Sequence, residues 1–192
     1  MDFPIKGVIF DLDGVIVKQK LDFAAIKQDI FGDSEGFILE RMERLSGPER
    51  ERAEEILEGY ERAAAEEAEL NDGVKPLFAH LDKRKTRRAV VTRNSRKSVA
   101  IVQEKFGLDL GVVISRGDAP PKPSPEPILL ACRRMGLSKE ECIFVGDFEL
   151  DMLAGRRAGV RTVLLRNPAQ PFSENADFTI DSISNLLDFL SP

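Results

Sequence analysis

One histidine and two cysteines occur in the 192 residues, and their scarcity removes several kinds of chemistry. His80 has no Ser or Cys nucleophile motif to serve, so a triad-type hydrolase is excluded and His80 reads as a helix-surface residue. Cys132 and Cys142 sit in apolar contexts with no CxxC spacing. That excludes a disulfide framework and a thiolate metal site, and reads as two buried free thiols in a reducing cytosol. No apolar stretch approaches the roughly 20 residues that span a bilayer. Acids interrupt the opening run MDFPIKGVIFDLDG too early for a secretory signal, so a cytoplasmic protein without a membrane partner is expected. Positive charge is not in excess: 28 Lys and Arg face 33 Asp and Glu, for a net charge of −5. The chain has no general reason to bind nucleic acid, and an anionic ligand would need a metal ion or particular cationic side chains. Internal repeats and low-complexity linkers are also missing.

What is present is an ordinary globular composition, 42% hydrophobic and 32% charged, long enough for one core of about 130 residues plus a small insert. Short, β-branched runs recur at Gly7–Leu12, Ala89–Thr92, Gly111–Ser115, Cys142–Asp147 and Arg161–Leu165, with a weaker one at Phe178–Ile180. They read as strands buried on both faces. Helices are predicted over Ser95–Phe106, Pro125–Met135, Leu150–Ala158 and Ser182–Leu190, the first three stopping at Gly107, Gly136 and Gly159. Strand–helix alternation predicts an α/β fold, a parallel sheet with helices on both faces and ligands bound beyond the carboxyl ends of the strands. From about residue 21 to 71 the strand signal vanishes. Three helical stretches, Asp22–Phe31, Glu35–Leu45 and Pro48–Leu70, replace it, the last with surface ion pairs along its Glu, Arg and Ala-rich length. The expected organisation is a core of residues 1–17 and 74–192 and an all-helical cap of residues 18–73, inserted after the first strand.

The chemistry concentrates at strand ends. The first run finishes in Asp11-Leu12-Asp13-Gly14. Residues i and i+2 of a strand point the same way, so two carboxylates leave the same edge together, and Gly14 permits an immediate turn. Two adjacent carboxylates repel unless a cation or proton lies between them, and a hard divalent ion such as Mg²⁺ answers that need. The fourth run finishes in Gly146-Asp147 with Asp151 four residues on, so a helix starting near Phe148 would turn Asp151 toward the same cleft. One acid at a strand end is usually a helix cap; DxDG and GDxxxD together, each after a buried strand, are not explained that way. Thr92 ends the second run, and a hydroxyl at a turn into a helix can hold a phosphoryl oxygen. Arg93 follows it, and its guanidinium can reach a phosphate or carboxylate. Lys122 lies in Pro121-Lys122-Pro123-Ser124-Pro125, where prolines stiffen the loop and position the ammonium. The basic run Lys83-Arg84-Lys85 with Arg87 and Arg88 reads as a solvated helix end.

Four acids, a hydroxyl and a lysine in this order resemble the haloacid dehalogenase superfamily, closest to its phosphoglycolate phosphatase-like members with a small helical cap. The resemblance spans the chain, is specific over Asp11–Val17 and Pro121–Gly159, and is loose in the cap. It implies a Rossmann-like three-layer core and a phosphatase acting on a small phosphorylated substrate, 2-phosphoglycolate being the candidate. Asp11 would be the nucleophile and Asp13 the general acid and base. Mg²⁺ would be held by Asp11, the Asp13 main-chain carbonyl and Asp147, with Asp151 behind them. Thr92, Arg93 and Lys122 would bind phosphate. Lys18 and Gln19 stand where relatives often carry Asp-Ser, and Lys18, Lys20, Phe23, Arg41 and Arg44 are the candidates for specificity. Two other readings use the same residues. A sugar phosphomutase of the superfamily needs a cap that excludes water, which a short insert supplies poorly. A receiver-like signalling module also phosphorylates an Asp on a parallel sheet but has no helical insert after its first strand. A dehalogenase would not need the proton-transfer group at Asp13. Monomer and homodimer are equally compatible with the sequence.

Overall fold

The computed structural model describes residues 5–167 and 176–190; the first four residues, part of the stretch read for a secretory signal, lie outside it. The elements run β1 (Gly7–Phe10), α1 (Phe23–Phe31), α2 (Ile38–Met42), α3 (Gly47–Glu66), α4 (Val74–Arg84), β2 (Arg87–Val91), α5 (Arg96–Phe106), β3 (Val112–Ile114), α6 (Glu126–Met135), β4 (Cys142–Gly146), α7 (Glu149–Ala158), β5 (Arg161–Leu165), β6 (Phe178–Ile180) and α8 (Leu186–Leu190). They form two compact units. One comprises Met1–Gln19, Glu69–Arg93 and Asp109–Pro192; the other comprises Lys20–Ala68 and Asn94–Leu108.

The first unit is the α/β core. Its six strands are all parallel, in the order β3-β2-β1-β4-β5-β6. The central strands are buried residue by residue, which is why their sequences are continuous apolar runs rather than alternations. On one face Ile9, Ala89, Val91, Ile114 and Phe144 pack against Ile128, Ala131, Cys132 and Met135 of α6 and Ala154 and Ala158 of α7. On the other, the Phe10 ring lies 5.6 Å from that of Phe78 on α4, and α4 also packs on β2 and α8. The sheet is therefore flanked by helices on both sides. β1 pairs with β2 on one side and β4 on the other, setting Phe10 beside both Val90 and Val145. That register brings Asp11, Thr92 and Asp147, each at or just past a strand end, to one edge. The chain leaves β1 toward β2 on one side and β4 on the other, and such a reversal opens a crevice at the carboxyl edge.

The second unit is helical. Ile26, Ile38, Leu39, Met42, Ala53 and Leu57 form its core, with Leu21, Ile30, Phe31, Leu45 and Tyr60 packed around them. Asp22 caps α1 by accepting from Ala24 N and Ala25 N at 3.1 and 3.0 Å. Helix α5 packs against α3, so this unit takes in a segment beyond the insert. Ser95 caps α5, accepting the Ser98 N–H at 3.3 Å.

Several expectations are corrected. The helix predicted over Glu35–Leu45 shrinks to α2: Gly36 sits at φ +62° and Phe37 is extended, while Arg41 folds back to donate to the Glu35 carbonyl at 2.9 Å. The last predicted helix is a short 3-10 turn, Ile183–Asn185, followed by α8. α3 does carry an i,i+4 surface pair, Arg50 with Glu54 at 2.5 Å, and Glu58 also meets Lys97 of α5 at 2.8 Å, but Glu61, in the stretch read as a charged surface, is buried. Within the basic run, Arg88 is buried rather than solvated, held by Asp82 at 2.7 Å and stacked 4.8 Å from the Phe78 ring centre. Its aliphatic stem follows the apolar face while the head finds carboxylates. His80 is half-buried, with its Nε2 enclosed and without a hydrogen-bond partner. Among the described residues no helix is long and apolar enough to cross a membrane.

Candidate active site

Asp11 follows the last residue of β1 and extends the ladder, its N–H donating to the Val145 carbonyl at 2.8 Å. Asp13 and Gly14 then turn the chain. Asp13 bridges Val17, and Gly14 N–H donates to the Val17 carbonyl at 2.7 Å. Gly14 has φ +80°, and a Cβ there would lie 2.0 Å from Asp147 Oδ2, so only glycine lets the turn pass the second acid. The turn is clamped by Asn71, whose side-chain amide donates to the Gly14 and Val15 carbonyls at 2.8 and 2.9 Å.

Asp147 follows β4, and α7 begins two residues later at Glu149. Asp151 is on its first turn, accepting the Phe148 N–H on Oδ2 at 3.2 Å. Gly146 is needed here as well, because a Cβ on it would come 2.3 Å from the Asp151 Cβ. Oxygens of Asp11, Asp147 and Asp151 all lie within 4.8 Å of one another.

Lys122 reaches this cluster from the proline-rich loop. Its Nζ lies 2.7 Å from Asp11 Oδ1 and 2.6 Å from Asp151 Oδ1, and 5.7 Å from the Phe144 ring centre. The lysine is only 3% exposed. Burial alone would lower its pKa, but Asp11 and Asp151 outweigh that and hold it above the ordinary lysine value. Burial pushes the Asp11 carboxyl well up; Lys122 opposes this while Asp151, Asp147 and Asp13 add to it. The Asp147 carboxyl is raised to about 7, by burial first and by Asp151 next, against Lys122 and a hydrogen bond from Asn167. The site thus has three buried acids around one ammonium. This excess of hard oxygen donors fits a divalent cation, which would remove the repulsion that burial magnifies. Asp151 has one oxygen on Lys122 and the other on the Phe148 N–H, so its carboxylate is already engaged, whereas Asp147 accepts a hydrogen bond from Asn167.

Thr92 is buried at the end of β2. Its N–H donates to the Ile114 carbonyl at 3.0 Å, and the Ser95 N–H donates to Glu61 Oε2 at 2.9 Å. Arg93 donates from Nη1 to the Lys122 carbonyl. Asp11, Asp13, Thr92, Arg93, Lys122, Asp147 and Asp151 all belong to the first unit. Of the specificity candidates, Lys18 pairs with Glu69 at 3.0 Å, Arg41 pairs with Asp33 and covers the Phe31 ring at 3.8 Å, and Phe23 is exposed. The sequence reading missed Asn71, Asn167 and the exposed Phe148 beside Asp147; Asn71 had a signal, as the first polar residue where the helical insert ends.

A family model for the haloacid dehalogenase-like hydrolases matches residues 5–159, and the chain belongs to that family; it is an enzyme of the phosphatase kind. A haloacid dehalogenase-like hydrolase domain-containing protein of Arabidopsis thaliana is 30% identical, over 97% of this chain and 84% of its own. A phosphoglycolate phosphatase of Xanthomonas campestris is 28% identical, over 85% of this chain and 83% of its own. The crystal structure of a subfamily IA haloacid dehalogenase-superfamily hydrolase from Geobacter sulfurreducens superposes with a TM-score of 0.71 at 27% identity, covering 97% of this chain and all of that one.

Proposed function

We propose that this chain is a Mg²⁺-dependent phosphomonoesterase that passes the phosphoryl group through Asp11. The observation that supports it most is the buried Asp11 carboxylate held 2.7 Å from Lys122 among two further acids. In the first step an Asp11 oxygen forms a bond to phosphorus as the bond from phosphorus to the substrate alcohol oxygen breaks. Asp13 gives its proton to that departing oxygen. In the second step Asp13, now ionised, takes a proton from water. The water oxygen bonds to phosphorus, the acyl phosphate bond breaks, and Asp11 and inorganic phosphate are released.

Lys122 and Thr92 hold the phosphoryl oxygens, and Arg93 holds the main chain of Lys122. Lys122 also balances the charge of Asp11, and Asp151 keeps Lys122 in place. A magnesium ion would be held by Asp11, the Asp13 main-chain oxygen and Asp147, and would supply the charge that lets an anionic carboxylate approach an anionic phosphate. The remaining residues contribute position and water exclusion, which phosphoryl transfer needs more than elaborate covalent chemistry. The phosphoglycolate phosphatase relative supports 2-phosphoglycolate as the first substrate to try, in a cytoplasmic enzyme acting on small metabolites.

The test is turnover of p-nitrophenyl phosphate and then 2-phosphoglycolate, with Mg²⁺ and with chelator. Wild type should work only with the metal, and Asp11→Asn should fall by roughly 10³-fold or more. Wild type inert across a divalent-metal series, or Asp11→Asn as active as wild type, removes the proposal.

A further inference from the structure

The loop between β3 and α6 carries Lys122, and its main chain is gripped on both sides of that lysine. Arg93, just beyond the end of β2, donates from Nη1 to the carbonyl of Lys122. Arg157, on the last turn of α7, donates from Nη1 to the carbonyl of Pro123 at 3.0 Å. The Arg93 carbonyl in turn accepts from Arg116 Nη1 at 3.4 Å, tying the same loop back to the β2 edge. At the loop's start, Asp118 Oδ2 accepts the Ser115 N–H and hydroxyl at 2.9 and 2.8 Å. Two successive carbonyls are therefore held by cations that arrive from different elements. Those elements also carry chemistry: Arg93 follows Thr92, and Arg157 shares α7 with Asp151.

A lysine side chain has a long flexible stem, so fixing its ammonium to two carboxylates requires its main-chain root to be fixed as well. Arg157 is exposed and lies outside the acid cluster, and nothing in the cluster's own chemistry calls for a cation at that place. Guanidinium groups suit the task because their charged N–H donors hold a carbonyl strongly and directionally.

We propose that Arg93 and Arg157 are positioning residues that clamp the Lys122 loop and act on the phosphoryl group through Lys122. The proposal rests on the phosphatase reading for its kinetic consequence but not for its structural one, and two measurements separate them. Arg157→Ala, Arg93→Ala and Arg93→Lys are made in the wild-type protein and in a Lys122→Ala background. Amide hydrogen exchange over residues 115–125 needs no turnover. It should accelerate in both alanine variants and less in Arg93→Lys; unchanged exchange in both alanine variants overturns the clamp. With p-nitrophenyl phosphate and Mg²⁺, each alanine variant should lose about 10-fold in kcat/KM in the wild-type background but less than about 2-fold once Lys122 is alanine. An undiminished 10-fold loss without Lys122 would mean that the arginines act on substrate directly, and would also overturn it. Should the wild type fail to turn over, the phosphatase reading falls while the exchange experiment still decides this one.

Discussion

Asp147 and Asp33 are the same side chain pushed in opposite directions. Asp147, buried at the edge of the α/β unit, has its carboxyl raised to about 7 by burial and by Asp151. Asp33, in the loop after α1 of the helical unit, is held down at about 2 by hydrogen bonds from Arg41 and from the Glu35 N–H. Asp33 lies in water with a guanidinium on it, so its charge is settled locally. Asp147 shares a buried site with Asp11, Asp151 and a single ammonium, and that sum closes only with a bound proton or another cation. The helical unit's surface charges confer solubility and small increments of stability; the core's buried charges are costly unless a proton or a cation is bound.

The largest test of this difference is the pH dependence of the metal-free protein. The folded pKa of Asp147, about 7, lies above its ordinary value of 3.8, so the folded state binds this proton more tightly than the unfolded one. Its contribution is therefore harmless below about pH 4, becomes destabilising as pH rises toward 7, and levels off above that, at about 4 kcal/mol in full. The direction for Asp11 is the same. Melting temperature measured from pH 4 to 8 in chelator should fall more steeply in wild type than in Asp147→Asn. Magnesium should restore the loss most at the high end, because it favours the ionised carboxylates. A wild-type curve no steeper than that of Asp147→Asn, or unaffected by magnesium, would break the comparison.

A middle case sits in the helical unit. Glu61 is buried to 2% exposure, yet it answers a specific donor, the Ser95 N–H at the start of α5, at 2.9 Å. A carboxylate at a helix N-terminus meets both an unpaired amide and the positive end of the dipole. Glu61→Ala leaves that amide buried without its acceptor and should cost about 1–3 kcal/mol in urea unfolding. Glu61→Gln keeps an acceptor oxygen and should cost less than about 1 kcal/mol. Equal losses in the two variants would make the charge, rather than the acceptor, the source of the stability.

The α/β unit was legible because its signals are local. A strand buried on both faces must be a continuous apolar run, so β1, β2, β4 and β5 announced themselves, and the acids that end two of them could be seen at once. β5 and β6 were placed to the residue. What sequence could not show was long-range pairing: that Asn71 would clamp the Gly14 turn from 57 positions away, or that Arg157 would hold the Pro123 carbonyl. These contacts link a side chain to a main-chain atom, and a carbonyl leaves no trace in the amino-acid string. The helical unit was legible in type but not in extent. Glu61 looked like every other acid on α3, and only the packing of α3 on α5 decides which of them is inside. The Glu35–Leu45 stretch lost most of its helix to Gly36 and to an arginine that prefers a carbonyl and a carboxylate to the solvent.

The smallest effect is expected at Asp33, and it sharpens the comparison by its conditions. The folded pKa of Asp33 lies below its ordinary value, so the stabilisation from its bond to Arg41 is present above about pH 4 and disappears as pH falls through about 2. The pair is largely in water, so added salt should erode it at pH 6, whereas the buried Lys122 pairs should be nearly indifferent to the same salt. Asp33→Asn should thus shift the melting temperature slightly at pH 6 in low salt, less in high salt, and progressively less as pH falls toward and below 2, with turnover of p-nitrophenyl phosphate at pH 6 unchanged. A large, salt-insensitive loss would mean that Arg41 and Asp33 behave as a buried pair. Burial in the core would then no longer account for the opposite treatment of the two aspartates.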